Sequence, residues 1–216
     1  MEKAIPPEQD VALRIAQQTL AARAPGYSTE VRSLLDAGRE VMRRNGTSGR
    51  ARVADIVALA GLSNDAFYRH FASKDMLVAA ILEDGTERLR SYLAHQMGKA
   101  EGPEAKVRAW VAGVLAQAAD EEVAAQTVAI LWNSLSAATA PGSTSASTVL
   151  APLLVEPFSA LGSADPELDA TLAAHAVIGK LSEHLWREER PTPAETDHIV
   201  RLLVAGVAAG GVGCSP

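Results

Sequence analysis

Apolar positions along the chain recur at helical intervals, and no segment alternates in the manner of a β-strand. Between residues 28 and 45, one helical face collects the apolar side chains Val31, Leu34, Leu35, Val41 and Met42. The same spacing predicts short helices over 52–60 and 64–71 and a long helix from 74 to about 97. Further helices are predicted at about 103–118, 120–139, 148–161, 166–189 and 193–209. The pattern predicts an all-α protein.

Residues 1–26 are predicted to be an extension that precedes the first domain. Val11, Ile15 and Leu20 can form one face of an amphipathic helix over 8–23, which Pro25-Gly26 separates from the next helix. The extension lacks the apolar stretch of a signal peptide. No apolar run in the chain reaches the ~18 residues needed to span a bilayer. We therefore expect a soluble, cytoplasmic protein without a membrane partner.

Residues 52–71 have the pattern of a helix-turn-helix. Gly61 permits the positive φ that a tight turn between two helices often needs, and Leu62 gives that turn an apolar anchor. Ser63 can cap the second helix. The free amides at the start of that helix lie near the residues that would contact base edges or phosphates of a bound DNA. The spacing alone is equally compatible with DNA binding and with an ordinary corner between two helices.

Charge is distributed unevenly along the chain, whose net charge of −6 comes from 20 Lys+Arg and 26 Asp+Glu. Residues 27–75 carry eight basic and six acidic groups, whereas residues 76–216 carry nine basic and seventeen acidic groups. A modestly basic segment on an acidic body would confine any polyanion contact to residues 27–75. An excess of two charges is also compatible with chance, so it does not assign the segment to DNA binding by itself.

The segment from Ala60 to Asp75 resembles the signature of the tetracycline-repressor (TetR) family of transcriptional regulators. The matching residues are Ala60-Gly61-Leu62-Ser63, Phe67-Tyr68, His70-Phe71 and Ser73-Lys74-Asp75, preceded by the lead-in Val53-Ala54-Asp55-Ile56. The resemblance covers about residues 27–80. It implies a helix-turn-helix DNA-binding domain over 27–75, followed by a helical effector-binding and dimerisation domain over 76–216.

The resemblance also implies which side chains read bases. Asn64, Asp65 and Ala66 occupy positions that usually face base edges in the major groove. Asparagine can pair with adenine, aspartate can accept from cytosine, and alanine can touch a thymine methyl group. Arg69 can reach either a base or a phosphate. The competing interpretation for each polar residue is an ordinary solvated side chain.

Tyr68, His70 and Lys74 match positions that usually contact the phosphate backbone. Lys74 lies at a helix start, where its charge opposes the helix dipole and a bound phosphate would offset that cost. The chain departs from the family just before the lead-in, where Ala51-Arg52 replaces the usual Thr-Ser. The usual hydroxyl contact is therefore missing, and the candidates to replace it are Thr47, Arg50 and Arg52.

No pattern indicates catalysis, a metal site or a cofactor. The five histidines lack metal-ligand spacing, and the only cysteine is Cys214. Ser134 and Ser136 lack the glycine-rich elbow of a nucleophilic serine. We therefore expect a protein that is not an enzyme and that uses no metal or cofactor.

The later helices contain candidates for an effector cavity, because aromatic-lined clefts between helices commonly bind small molecules. The apolar candidates are Trp110, Trp132, Phe158 and Trp186, with Leu115, Leu131, Leu135 and Leu154. The candidate polar anchors are Gln126, Asn133 and His175. Charged groups are sparse inside these helices, so the expected effector is a small apolar or amphipathic molecule. Core packing is the competing interpretation for each apolar residue.

The last two predicted helices carry the candidate dimer interface. In the resembled family, these helices pair with their symmetry mates in a four-helix bundle, which implies a homodimer. The candidate interface residues are Ala174, Ile178, Leu181, Leu185, Ile199, Leu202, Leu203 and Gly206. A two-fold dimer presents two recognition helices to one face of double-stranded DNA, so the operator should be an inverted repeat.

Together these features predict a ligand-responsive, sequence-specific transcriptional regulator, expected to be a repressor that its effector releases from the operator. The effector would favour a conformation whose two recognition helices are badly spaced. The alternative is a helical ligand-binding or protein-interaction module whose helix-turn-helix is vestigial. A gel-shift assay with DNA upstream of its own and neighbouring genes would separate the two.

Overall fold

The computed structural model describes residues 11–134 and 145–210, with side chains described for 28–134 and 145–208. Every regular element in these ranges is helical, in agreement with the predicted all-α class. The helices are α1 (Val11–Asn45), α2 (Val53–Ala60), α3 (Asn64–His70), α4 (Lys74–Gly98), α5 (Pro103–Leu115), α6 (Glu121–Ser134), α7 (Ala146–Leu150), α8 (Pro152–Ala160), α9 (Pro166–Arg187) and α10 (Pro193–Gly210). A short 3-10 turn, Ala116–Ala118, follows α5.

Helix α1 is longer than the sequence pattern predicts. The prediction of a separate leader helix is wrong, because α1 runs from Val11 to Asn45 and passes through Pro25-Gly26. A proline inside a helix removes one backbone donor and commonly bends the helix, which can continue on its far side. Residues 1–10 lie outside the described part of the chain.

Two later helices also differ from their predicted bounds. The helix predicted at 148–161 is divided into α7 and α8, because Pro152 occupies the first position of a new helix, where its missing amide has no intrahelical partner to lose. The helix predicted at 120–139 begins at Glu121. Its predicted end lies outside the described residues, as do Leu135, Ser136 and Cys214.

Two hydrophobic clusters fill the part of the chain whose side chains the structure describes, and α4 contributes to both. The first joins α1, α2, α3 and the start of α4, and it includes Leu34, Met42, Ile56, Phe67, Leu77 and Ile81 together with Ala129 of α6. The second joins the end of α4 to the later helices around Trp110 and Phe158. We call residues 28–81 the head and residues 82–208 the body. Among the described helices, none is both long and apolar enough to cross a membrane.

Helices α1 and α4 approach each other closely at Gly38. A Cβ atom at this position would lie 2.8 Å from Ile81 Cδ1 and 3.2 Å from Leu77 Cδ2, closer than side chains normally allow. The glycine therefore lets α1 pack directly on the helix that continues into the body. Helix α6 packs against α1 as well, so both α4 and α6 link the head with the body.

Candidate DNA-binding interface and effector cavity

The helix-turn-helix consists of α2, α3 and the turn between them, and each end of the turn is capped. Gly61 has a φ of +68°, in the left-handed region that favours glycine, and the Leu62 amide donates to the Val57 carbonyl at 2.9 Å. Ser63 starts α3 by accepting a hydrogen bond on Oγ from the Ala66 amide at 3.1 Å. The structure confirms the predicted turn and cap, which together orient α3 on α2.

The outer face of α3 presents polar side chains to solvent. Asn64, Asp65, Tyr68 and Arg69 are all exposed, and Tyr68 is 58% exposed. The Tyr68 ring stands edge-on to the buried Phe67 ring, with centroids 5.2 Å apart, so the core supports it from one side. Amide, carboxylate, phenol and guanidinium groups on one helix face can hydrogen-bond to base edges and to phosphates.

Glu30 of α1 holds the C-terminal end of α3. Its Oε2 lies 2.6 Å from His70 Nε2 and accepts a hydrogen bond from Arg69 Nη2 at 2.8 Å. The hydrogen bond with His70 is the main cause that lowers the pKa of Glu30; burial opposes it, and Arg69 adds to it. Sequence reasoning missed this contact, because Glu30 and His70 lie 40 positions apart and no local pattern links them.

Two of the predicted contact residues are not exposed. Ala66 is 6% exposed and lies beside the buried Phe67, and the His70 side chain is 1% exposed against Glu30. Neither side chain can reach a DNA surface without a rearrangement of the head. We therefore leave both out of the proposed contact surface.

The predicted phosphate contacts other than Tyr68 and His70 lie around the start of α2 and at the start of α4. Thr47 and Arg50 are exposed in the loop between α1 and α2, and Arg52 is exposed at the N-cap of α2. Lys74 is half-buried in the first turn of α4, beside Ser73, whose Oγ accepts from the Met76 amide at 3.2 Å. Cationic side chains thus stand at the starts of α2 and α4, where free backbone amides also favour anions.

Asn133 joins the body to the head. Its Oδ1 accepts a hydrogen bond from the Ala51 amide at 3.0 Å, and its Nδ2 donates to the Ala129 carbonyl at 2.9 Å. The side chain is fully buried and both of its polar ends are used by the protein itself. We therefore do not retain Asn133 as an effector anchor. Because Ala51 precedes the N-cap of α2, the bond ties α6 to the start of the helix-turn-helix.

A cavity of about 430 Å³ lies between α1, α4, α6 and α9, and we call it the effector cavity after the role that we propose for it. Its walls are mainly apolar and include Ile81, Leu82, Leu89, Tyr92, Ile130, Leu131, Ile178 and Leu185. Its polar lining side chains are Arg39, Thr86, Arg88, Gln117, Gln126, Thr127 and Ser182. This volume, with apolar walls and a few polar groups, is typical of small-molecule sites.

Most of the residues predicted to line an effector site lie elsewhere. Gln126 and Leu131 do line the effector cavity, but the lining does not include Trp110, Trp132, Phe158, Trp186, Leu115, Leu154 or His175. Trp110 and Phe158 are fully buried in the body, and the Trp110 indole donates to the Leu150 carbonyl at 3.3 Å. The burial of these two residues agrees with the competing interpretation, core packing. In the described ranges, no group of three or more His, Cys, Asp or Glu side chains could hold a metal ion.

The predicted dimer residues divide between the core and the surface. Ala174, Leu181 and Leu185 are buried in the second cluster, and Ile178, Ile199 and Leu203 pack against it. Only Leu202 and Gly206 of the predicted set are exposed. The large exposed apolar side chains of α9 and α10 are Leu168, Leu172, Trp186 and Leu202. Helix α9 is apolar on two faces, and the face that was predicted to form the dimer interface packs inside the protomer.

Comparison with known proteins matches residues 34–81 to the family described as "Bacterial regulatory proteins, tetR family". A protein from Pseudomonas aeruginosa PAO1 assigned as a transcriptional regulator is 24% identical, with a TM-score of 0.63 over 83% of this chain and 90% of that one. A transcriptional regulator from Rhodococcus sp. Rha1 is 20% identical, with a TM-score of 0.60 over 86% of this chain and 99% of that one. RolR, solved with its ligand resorcinol, is 15% identical, with a TM-score of 0.59 over 90% and 98%. No protein of curated function matches in sequence.

The described helices have the fold that is shared by transcription regulators of one bacterial family. Residues 34–81 match the TetR-family model, and the chain has the fold of TetR-family transcriptional regulators. Members of this family bind DNA operators and small molecules, form dimers, and are not enzymes.

Proposed function

We propose that the protein is a dimeric repressor that binds an inverted-repeat operator through α3 and is released by an amphipathic effector in the effector cavity. The observation that carries the proposal is the exposed polar face of α3, on a helix whose start is capped by Ser63 and whose end is held by Glu30. A rigid, exposed helix with hydrogen-bonding side chains is what major-groove reading requires. We retain residues 27–75 as the DNA-binding domain and residues 76–216 as the effector and dimerisation domain.

Base reading is assigned to Asn64 and Asp65, and Tyr68 and Arg69 contact bases or phosphates at the groove edge. Contacts with the phosphate backbone hold α3 in place on the DNA. They are made by Ser63 and Lys74 and, around the start of α2, by Arg50, Arg52 and Thr47. Phosphate contacts supply affinity without sequence preference, whereas base contacts supply the preference.

The dimer is assigned to the exposed apolar face of α9 and α10. Leu172 is 59% exposed and Leu202 is 66% exposed, and Leu168 adds a third leucine on α9. Gly179 and Gly206, both exposed, allow the helices of a second copy to approach closely. The occupant is a second copy of this chain, because a single α3 makes too few base contacts to hold an operator and a two-fold dimer supplies the second helix.

The effector acts through the helices that the cavity shares with the head. Arg39 of α1 and Ile81 of α4 line the effector cavity, and Ile81 also belongs to the first hydrophobic cluster. A ligand that binds better to one arrangement of α1 and α4 shifts the population of head orientations and so the spacing of the two α3 helices. The resorcinol complex of RolR supports small-molecule binding by this fold.

The proposal is tested by a gel-shift assay with DNA upstream of the protein's own gene and of its neighbours. We expect a complex that survives an excess of unrelated competitor DNA and that Tyr68→Ala weakens. A reporter gene placed behind the bound sequence should be expressed less when the protein is present. Binding that unrelated DNA displaces equally well would favour the module with a vestigial helix-turn-helix.

A further inference from the structure

The effector cavity has basic groups and, among its described lining residues, no acidic group. Arg39 and Arg88 line it, and the remaining described lining side chains are apolar or neutral. The chain as a whole is acidic, with a net charge of −6. Apolar walls with arginine at the polar positions suit a molecule that has an apolar body and an anionic group.

Arg39 uses only part of its guanidinium group. Nη1 lies 2.5 Å from Asp36 Oδ1 on α1, and Nη2 pairs with Asp84 Oδ2 on α4. Nε is buried and has no hydrogen-bond partner in the part of the chain that the structure describes. The Arg39 side chain is 11% exposed, so bulk water does not reach this donor. A buried donor without an acceptor lowers the stability of the arrangement.

An anion in the place of Asp84 would satisfy the donor that Asp84 leaves unpaired. Arginine holds a carboxylate or sulfonate most strongly when two of its N–H groups donate in parallel to two oxygens. Asp84 Oδ2 also lies 3.4 Å from Arg88 Nε. Asp84 therefore keeps a cationic partner, Arg88, when the anion of a ligand binds Arg39. The exchange therefore leaves every charge paired and adds a hydrogen bond at Nε.

We infer that the effector is an anionic amphiphile, and that Arg39 captures its anionic group in competition with Asp84. The inference rests on the proposed effector cavity and narrows the chemical class of its ligand. A neutral molecule with the same apolar body gains the contacts with the walls but not the contact with Arg39, so it binds more weakly.

A pair of fluorescent probes tests this inference. Anilinonaphthalene sulfonate and N-phenylnaphthylamine share an aromatic frame, differ in the sulfonate, and both emit strongly once they leave water for an apolar site. Dissociation constants are measured by fluorescence titration for the full chain and for Arg39→Gln, Arg39→Lys and Asp84→Asn. The Glu87–Arg90 pair lies on α4 outside the cavity lining, so Glu87→Gln and Arg90→Gln are the matched controls.

We expect the sulfonate to bind more tightly than the neutral probe. Arg39→Gln should weaken sulfonate binding about tenfold and leave the neutral probe unchanged, because one charge-assisted contact is lost. Arg39→Lys keeps the positive charge but loses the paired N–H donors, so its affinity for the sulfonate should lie between those of the wild type and Arg39→Gln. Asp84→Asn should tighten sulfonate binding, because it removes the carboxylate that competes for Arg39. Both controls should match the wild type.

Arg39→Gln and Asp84→Asn break the same ion pair. If that pair had a purely structural role, the two substitutions would change the affinity for the sulfonate in the same direction. Weaker sulfonate binding by Asp84→Asn, or an Arg39→Gln effect that is equal for the two probes, would overturn the inference while leaving the effector cavity in place. Failure of both probes to bind the wild type would overturn the cavity's proposed role and this inference with it.

Discussion

Asn133 of α6 accepts a hydrogen bond from the Ala51 amide, 82 positions earlier in the chain, at 3.0 Å. Asn133 is fully buried and Ala51 is 3% exposed, so water cannot replace either partner. The body therefore holds the head at the residue next to the first helix of the helix-turn-helix. This bond joins α6 to the segment that leads into α2.

Asn133→Ala should lower the free energy of unfolding by about 1–3 kcal/mol, because it leaves the buried Ala51 amide without an acceptor. Urea denaturation measures this loss. Ser134→Ala is the matched control, since it removes only a bond from Ser134 Oγ to the Leu131 carbonyl within the same helix. An equal loss in the two variants would mean that the link to Ala51 contributes nothing beyond local helix stability.

The tether between Glu30 and α3 should make the stability of the head depend on pH. Hydrogen bonds, chiefly with His70, hold the pKa of Glu30 below the ordinary glutamate value of 4.5. A carboxyl group with a lowered folded pKa adds stability that is fully present above its unfolded pKa and is lost as the pH falls through the folded value.

Urea denaturation of the wild type and of Glu30→Gln, from neutral pH down to about pH 3, checks this expectation. The stability advantage of the wild type over Glu30→Gln should be present above pH 4.5 and should shrink below it. Glu104→Gln, which removes an exposed carboxylate from α5, controls for the loss of one negative charge. An advantage that stays constant into acid would contradict the assigned pKa shift.

Lys74→Ala should weaken binding to all DNA sequences similarly and reduce the salt slope by about one unit per subunit, because one phosphate contact is lost. Fluorescence anisotropy at a series of salt concentrations measures the slope. Lys99, exposed just after the far end of α4, provides the control variant Lys99→Ala. If Lys74→Ala and Lys99→Ala gave the same slope as the wild type, Lys74 would not contact phosphate.

Leu172→Arg should dissociate the dimer without unfolding the protomer, because Leu172 is exposed on α9 and a charge there would be unpaired only in the interface. Sedimentation should show a monomer, and operator affinity should fall steeply. Leu203→Arg serves as the contrast: Leu203 packs against the second cluster, so this substitution should destabilise the protomer itself. A Leu172→Arg protein that remained dimeric would show that the interface lies on another surface.

The head was predictable from the sequence because its decisive features lie within a few residues of one another. The left-handed Gly61 and the Ser63 cap act on neighbouring backbone groups, and the periodicity of residues 28–45 marks the face that packs in the core. The same local logic failed at Pro25, where the preference of proline for helix ends did not stop α1.

The effector cavity could not be predicted in the same way. Arg39 and Asp84 meet across 45 positions, and Asn133 finds its partner only after α6 packs on α1. Helix α9 has apolar side chains on two faces, so periodicity shows that it is helical but not which face the protomer covers. Trp110 and Phe158 are as suitable for a core as for a cavity, and only their neighbours decide between them.

Operator selection from random DNA, with the wild type and with Asn64→Ala, tests most directly whether α3 reads a specific operator. The wild type should select an inverted repeat. Asn64→Ala should lose its preference at one symmetric position, with a cost of about 1–3 kcal/mol per half-site. Recovery of the same repeat with the same preferences by both proteins would show that Asn64 does not read a base. Recovery of no common sequence by the wild type would contradict operator reading by α3.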